Sequence, residues 1–147
     1  MGTTTPAQMD ALIERHLAAE AVGDVDGAVE VYTDDVEHDV VGWPTGVAHG
    51  VDDARGFYEY LTTNIATEKT VATRTYYSDD ACTIEHEWTG TIPGEFLGIP
   101  GHGRRISFRM LHVFEFRDGL ISRENTWLDG DAIVAQLTAP DHEASTS

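Results

Sequence analysis

The stretch ISFRMLHVFEF, residues 106–116, decides how the rest of the chain is read. Its even positions are Ile106, Phe108, Met110, His112, Phe114 and Phe116, and its odd positions are Ser107, Arg109, Leu111, Val113 and Glu115. Alternation with this period belongs to a strand, whose successive side chains point to opposite faces. The even face is oily and carries one imidazole, so His112 points into whatever the aromatics enclose. An imidazole so placed is either a core residue with satisfied hydrogen bonds or a proton-handling group in a pocket.

Working outward, Asp118-Gly119 is a two-residue hairpin signal leading into a last strand, Leu120 to Leu128, and a short helix, Asp131 to Leu137. Upstream, Ala81 to Ile92 alternates again: Cys82, Ile84, His86 and Trp88 share one face, which makes His86 a second inward histidine. Val71 to Tyr77 is a further strand, turning at Ser78-Asp79-Asp80. Pro93 to Gly103 is a loop rich in glycine and proline.

The first half is helical. Thr5-Pro6-Ala7-Gln8 supplies an N-cap, a proline at the first helical position and a capping-box glutamine. Met9, Leu12, Ile13, His16, Leu17 and Glu20 then follow at helical spacing, which puts His16 on the apolar stripe. Gly23 ends that helix, and Asp24 caps a short second one through Tyr32. Val36 to Val41 reads as a strand closed by Gly42-Trp43-Pro44-Thr45-Gly46. A third helix runs from about Asp52 to Ile65, with Phe57, Tyr58 and Leu61 on one face. Helices first and long strands afterwards predict an α+β fold, a cone-shaped barrel in which a curled antiparallel sheet wraps round the N-terminal helices. Pockets form in the mouths of such barrels.

The chain has 147 residues, one domain's worth, with an ordered core expected over about 5–138 and a polar tail over 139–147. Nine basic residues (eight Arg and Lys69) stand against 26 acidic ones, a net charge of −17. Such a chain repels phosphate backbones and anionic membranes, so neither nucleic acid nor a membrane is an expected partner. The lone Cys82 allows no internal disulfide and no cysteine-based zinc site. No apolar run approaches the ~20 residues of a membrane span, and Met1 to Pro6 lacks the basic and apolar regions of a signal peptide, so a cytoplasmic location is expected.

Several segments are similar to a known family. Leu17-Ala18-Ala19 through Gly23-Asp24, Tyr32-Thr33-Asp34-Asp35-Val36, Gly94-Glu95-Phe96-Leu97-Gly98-Ile99-Pro100 with Gly103-Arg104, Phe116-Arg117-Asp118-Gly119-Leu120-Ile121 and the closing Gln136-Leu137 resemble the SnoaL-like polyketide cyclases. That family lies in the superfamily of nuclear transport factor two, ketosteroid isomerase and limonene epoxide hydrolase. The resemblance spans roughly Leu12 to Leu137 and implies the cone-shaped fold. It places His16 where the isomerases have their oxyanion-hole tyrosine, and Asp39 where they have the general base. It places His112 where the isomerases keep a protonated aspartate and the cyclases a histidine. On the last strand Thr126 stands where cyclases and epoxide hydrolases have a catalytic aspartate, and threonine cannot act as a base near neutral pH. Glu124 is the alternative acid there. Alternation disagrees with the resemblance over Asp39. Val36, His38 and Val40 share a face, which turns Asp39 outward with Glu37 unless the strand bulges or bends.

The expected site therefore comprises Asp39, His112 and His16 as acid–base groups. Trp43, His86, Trp88, Phe96, Phe108, Met110 and Thr126 are expected to contact substrate, with Trp43 and Phe96, both on loops, nearest the mouth. Three inward histidines and a carboxylate raise the possibility of a metal site, but they come from separate elements without a ligand-spacing motif, and neither metal nor organic cofactor is expected. The resemblance implies a cofactor-independent cyclase or isomerase acting on a hydrophobic, polyketide- or steroid-like carbonyl compound. The alternatives are an epoxide hydrolase or hydratase, and a non-catalytic small-molecule binding module. Leu111 and Val113 on the outer face suggest a homodimer through the sheet.

Overall fold

The computed structural model describes residues 3–140; the expected tail beyond that lies outside the described residues. Helix α1 (Pro6–Ala21) begins as the capping pattern requires. The Thr5 hydroxyl accepts the Gln8 N–H at 3.2 Å, and the Gln8 side chain accepts the Thr5 N–H at 2.8 Å. Its buried stripe is Met9, Leu12, Ile13 and His16. Helix α2 (Val25–Val29) is capped by Asp24 and is shorter than expected, because the chain turns extended at Tyr32. Strands β1 (Tyr32–Val40) and β2 (Ala48–His49) precede helix α3 (Val51–Asn64), whose first turn carries Asp52 and Asp53 where the helix dipole favours them.

The second half is sheet. Strand β3 (Ala66–Ser78) starts five residues before the expected Val71, where it pairs with the end of β4 (Ala81–Ile92). Gly90 permits that start: a Cβ there would run into the Ala66 carbonyl and the Trp88 ring. The glycine-rich loop holds a two-stranded hairpin, β5 (Glu95–Phe96) and β6 (Ile99–Pro100). Strands β7 (Arg104–Arg117) and β8 (Leu120–Leu128) follow, and helix α4 (Gly130–Thr138) closes the described chain. Asp118 and Gly119 both have positive φ, the backbone of a two-residue hairpin turn.

The main sheet has the order β2-β1-β8-β7-β4-β3. All its pairs are antiparallel except one: β1 runs parallel to β8, so the sheet is mixed, which corrects the antiparallel sheet expected from the order of helices and strands. A parallel pair needs a long crossover, and here nearly the whole chain between the two strands provides it. The inner face carries the core. Phe114 and Ile121 are fully buried, and Trp88 and Phe108 stack at 5.0 Å beneath α1 and α3. On the outer face Leu111 and Val113 are half-buried and Trp127 is exposed. No described helix is long and apolar enough to cross a membrane.

Candidate active site

At the centre of the inner face lies Glu124, 3% exposed, in the middle of β8. Its Oε1 accepts the Tyr32 hydroxyl at 2.7 Å and faces His16 Nε2 at 3.2 Å. Its Oε2 accepts the Tyr58 hydroxyl at 3.2 Å. His38 Nε2 and His112 Nε2 each lie 3.8 Å from Oε2. Four elements, α1, β1, α3 and β7, thus converge on one carboxylate.

The hydrogen-bond chemistry assigns the protons. His16 Nδ1 is 2.7 Å from the Ala28 carbonyl, which can only accept, so Nδ1 carries a proton and Nε2 is the end that exchanges one. His38 Nε2 is 2.9 Å from the Tyr58 oxygen, and since Tyr58 donates to Glu124, His38 is the donor. His86 Nδ1 and His112 Nδ1 are 2.9 Å apart. If His112 donated there, its Nε2 lone pair would face a carboxylate; His86 is therefore the donor, and the His112 Nε2–H points toward Glu124.

Burial alone would raise the Glu124 pKa. The charge and hydrogen bond of His16, with help from His38 and His112, outweigh it and hold the carboxyl well below its usual range. Burial would likewise lower His16, but the Glu124 charge and hydrogen bond, with Glu20 behind them, raise it to about 9. The pair is an imidazolium–carboxylate withdrawn from bulk solvent. Burial presses His86 to about 4 and His112 to about 3, against the pull of Glu124, so both are neutral at pH 7. His38 is also lowered, by burial and by the repulsion of His16, which together outweigh the pull of Glu124. Burial and the Glu124 charge push both Tyr32 and Tyr58 well above the usual phenol value, which keeps them donors.

A cavity of about 50 Å³ opens onto this cluster, with polar walls from Glu20, His38, Tyr58, His112, Glu124 and Thr126. Its apolar walls include Trp88, Phe96, Phe108 and Met110. A wider vestibule of about 780 Å³ shares His38, Val40 and Phe57 with it and is walled by Trp43, Tyr60 and Leu97. Trp43 stands edge-on to Phe57 at 5.1 Å and to Tyr60 at 5.6 Å.

Of the residues singled out from sequence, His112, Trp88, Phe96, Phe108, Met110 and Thr126 line the inner cavity, and Trp43 lines the vestibule. His16 and His86 stand one layer back, behind Glu124 and His112 respectively. Asp39 is not brought to the site, which corrects the placement implied by the resemblance. It lies on the outer face, 3.2 Å from Asn125 Nδ2 and 3.6 Å from an Arg123 nitrogen. The reason is the position of the irregularity in β1. The register with β8 shifts between Tyr32 and Glu37, so alternation from Val36 to Val40 is unbroken and His38 takes the inward place beside Glu124. Sequence reasoning did not single out Tyr32, His38, Tyr58 or Glu20 as functional. A carboxylate on an apolar helical stripe, as Glu20 is, was the available signal. Among the described residues no group of three or more His, Cys, Asp or Glu side chains is arranged to hold a metal ion.

A family model described as SnoaL-like polyketide cyclase matches residues 11–137. Among solved structures, TsrD from Streptomyces laurentii is 23% identical with a TM-score of 0.79, over 92% of this chain and 98% of that one. A protein of ketosteroid isomerase-like fold from Catenulispora acidiphila, solved with trimethylamine, is 19% identical with a TM-score of 0.72, over 93% and 96%. An epoxide hydrolase of the limonene type from M. tuberculosis is 18% identical with a TM-score of 0.70, over 89% and 90%. At these identities the likeness is one of fold. No curated protein matches the sequence.

Proposed function

The chain belongs to the SnoaL-like polyketide cyclase family, in the superfamily of ketosteroid isomerase and limonene epoxide hydrolase, and on that premise we propose that it is a cofactor-independent acid–base enzyme acting on a hydrophobic carbonyl compound. The observation that carries this reading is Glu124, an ionised carboxylate buried at the floor of a cavity and ringed by donors. In this reading Glu124 takes a proton from carbon next to a carbonyl. The negative charge moves from Glu124 to the substrate oxygen, where the neutral donors Tyr58, His38 and His112 stabilise it as it develops. Behind them His16, positively charged, lies 3.2 Å from Glu124.

The same donors that keep Glu124 ionised make it a weak base. A weak base matches an acidic carbon acid, one flanked by two carbonyls or by a carbonyl and an aromatic ring, better than a simple ketone. The small inner cavity admits the reacting end of such a molecule, and the aromatic vestibule takes its bulk. The test is α-proton exchange of 2-tetralone and of a β-keto ester in heavy water, followed by NMR, with wild type beside Glu124→Gln. Exchange that disappears in the variant supports the assignment. Equal exchange in both overturns it.

A second reading has one observation in its favour: the inner cavity is large enough for water beside Glu124 and the Thr126 hydroxyl. Glu124 would then activate that water against an epoxide. Incorporation of ¹⁸O from labelled water into styrene oxide diol, dependent on Glu124, would select this reaction. Saturable ligand binding without either reaction would make the protein a binding module.

A further inference from the structure

Glu20 lies one helical turn beyond His16 on α1, and its carboxylate is 3.7 Å from His16 Nε2, the nitrogen that faces Glu124 at 3.2 Å. His16 Nδ1 is committed to the Ala28 carbonyl, so Nε2 has a single proton to offer, and the nearer Glu124 takes it. Among the described residues the Glu20 carboxyl accepts no hydrogen bond. It nevertheless lines the inner cavity beside Leu17, its side chain only 19% exposed. A carboxyl left over in this way, facing the same empty space as an ionised partner, is placed to work on a bound molecule.

We propose that Glu20 is the second catalytic carboxyl, which in its protonated form donates to the substrate oxygen as Glu124 takes the proton from carbon. The inference rests on the acid–base reading of the site. In the forward step the carbon–hydrogen bond breaks toward Glu124, and its electron pair forms the enol double bond. The carbonyl π pair takes the Glu20 proton, leaving Glu20 as carboxylate and Glu124 as acid. Collapse of the enol reverses both transfers, so each carboxyl regains its starting state and no co-reactant is consumed.

The groups facing Glu20 are His16 from its own helix, Glu124 from β8, Tyr32 from β1 and Tyr58 from α3. Only His16 among them is cationic, and one imidazolium does not fully compensate two carboxylates so largely withdrawn from solvent. Burial and the Glu124 charge accordingly raise Glu20 to about 7 against the attraction of His16. Two carboxyls pushed in opposite directions by one environment divide the acid and base roles between them.

The experiment is a ¹³C-carboxyl NMR titration of the full chain, with the Glu20 signal assigned by its loss in Glu20→Gln, alongside the pH profile of 2-tetralone exchange. The expected midpoint for Glu20 is near 7. Glu20→Gln should slow exchange about tenfold to a hundredfold with the apparent binding constant little changed, and should abolish the fall in rate above pH 7. Glu20→Asp should restore that alkaline limb. An ordinary carboxylate midpoint near 4.5, or a Gln variant that keeps both rate and limb while Glu124→Gln is inactive, overturns the role of Glu20 and leaves that of Glu124 standing. Wild type inert toward every probe overturns both.

Discussion

Replacing Glu124 by glutamine removes one charge from a buried ion pair while keeping its shape. The amide oxygen can still accept the Tyr32 hydroxyl, which sits 2.7 Å from Oε1. His16, fully buried, loses the interaction that holds its pKa at about 9 rather than 6.5. At about 1.4 kcal/mol per pKa unit that displacement is worth roughly 3 kcal/mol. Tyr32 and His16 Nε2 both face Oε1, so the amide cannot serve the two at once; with about one unit of the displacement already lost by pH 7.5, the expected loss there is about 2 kcal/mol. The sign with pH is fixed. A raised histidine stabilises fully below its unfolded value of 6.5 and loses that contribution as pH rises through about 9. Wild type should therefore weaken between pH 7.5 and 10, Glu124→Gln should stay nearly flat, and the gap should close. Urea unfolding at four pH values over this window reads it directly. A gap under about 1 kcal/mol at pH 7.5, or one that persists to pH 10, would refute the ion pair.

Acid behaviour should be governed by the histidine pair. With His86 at about 4 and His112 at about 3, the unfolded chain takes up protons first below 6.5, so stability present above 6.5 is lost as pH falls toward 4. His86→Leu should make that limb shallower, leaving the His112 share, and, by stripping His112 Nδ1 of its partner, cost about 1–3 kcal/mol at pH 7; an unchanged acid limb in urea unfolding would contradict the pairing. Phe114 is fully buried and stacked on His112 at 5.2 Å, so Phe114→Ala should cost about 3–5 kcal/mol in the same assay, and a loss below 1 would be inconsistent with this core. Asp39→Asn should change stability by no more than about 0.5 kcal/mol and leave exchange unaltered, because its carboxylate sits on the outer face; a tenfold rate loss would return it to the site.

How much of this was legible in the chain depends on the distance over which each feature is determined. The α1 start is written in Thr5, Pro6 and Gln8, and the β7–β8 turn in Asp118-Gly119, all within a few residues. The inward direction of His86 and His112 follows from period-two alternation. Asp39 is more instructive, because alternation over five residues placed it correctly while the resemblance to the isomerases did not. Alternation reads the local backbone, whereas an alignment also needs the site of the bulge, and a bulge leaves no mark in composition. The cluster around Glu124 was out of reach for another reason. Tyr32, Tyr58 and His38 looked like ordinary members of their own elements, and only the parallel pairing of β1 with β8 and the packing of α3 across them bring their polar atoms together.

That parallel pairing also orders events in time. Glu37 and Arg123, partners across β1 and β8, are 86 residues apart, whereas β7 and β8 meet through a two-residue turn. Closing the long loop is the costlier step, so the hairpin is expected to form first and β1 to dock after it. Until it does, Glu124 faces water and has neither Tyr32 nor His38 beside it. On that order the carboxylate loses its water only as β1 docks, the strand that brings Tyr32 and His38 to it.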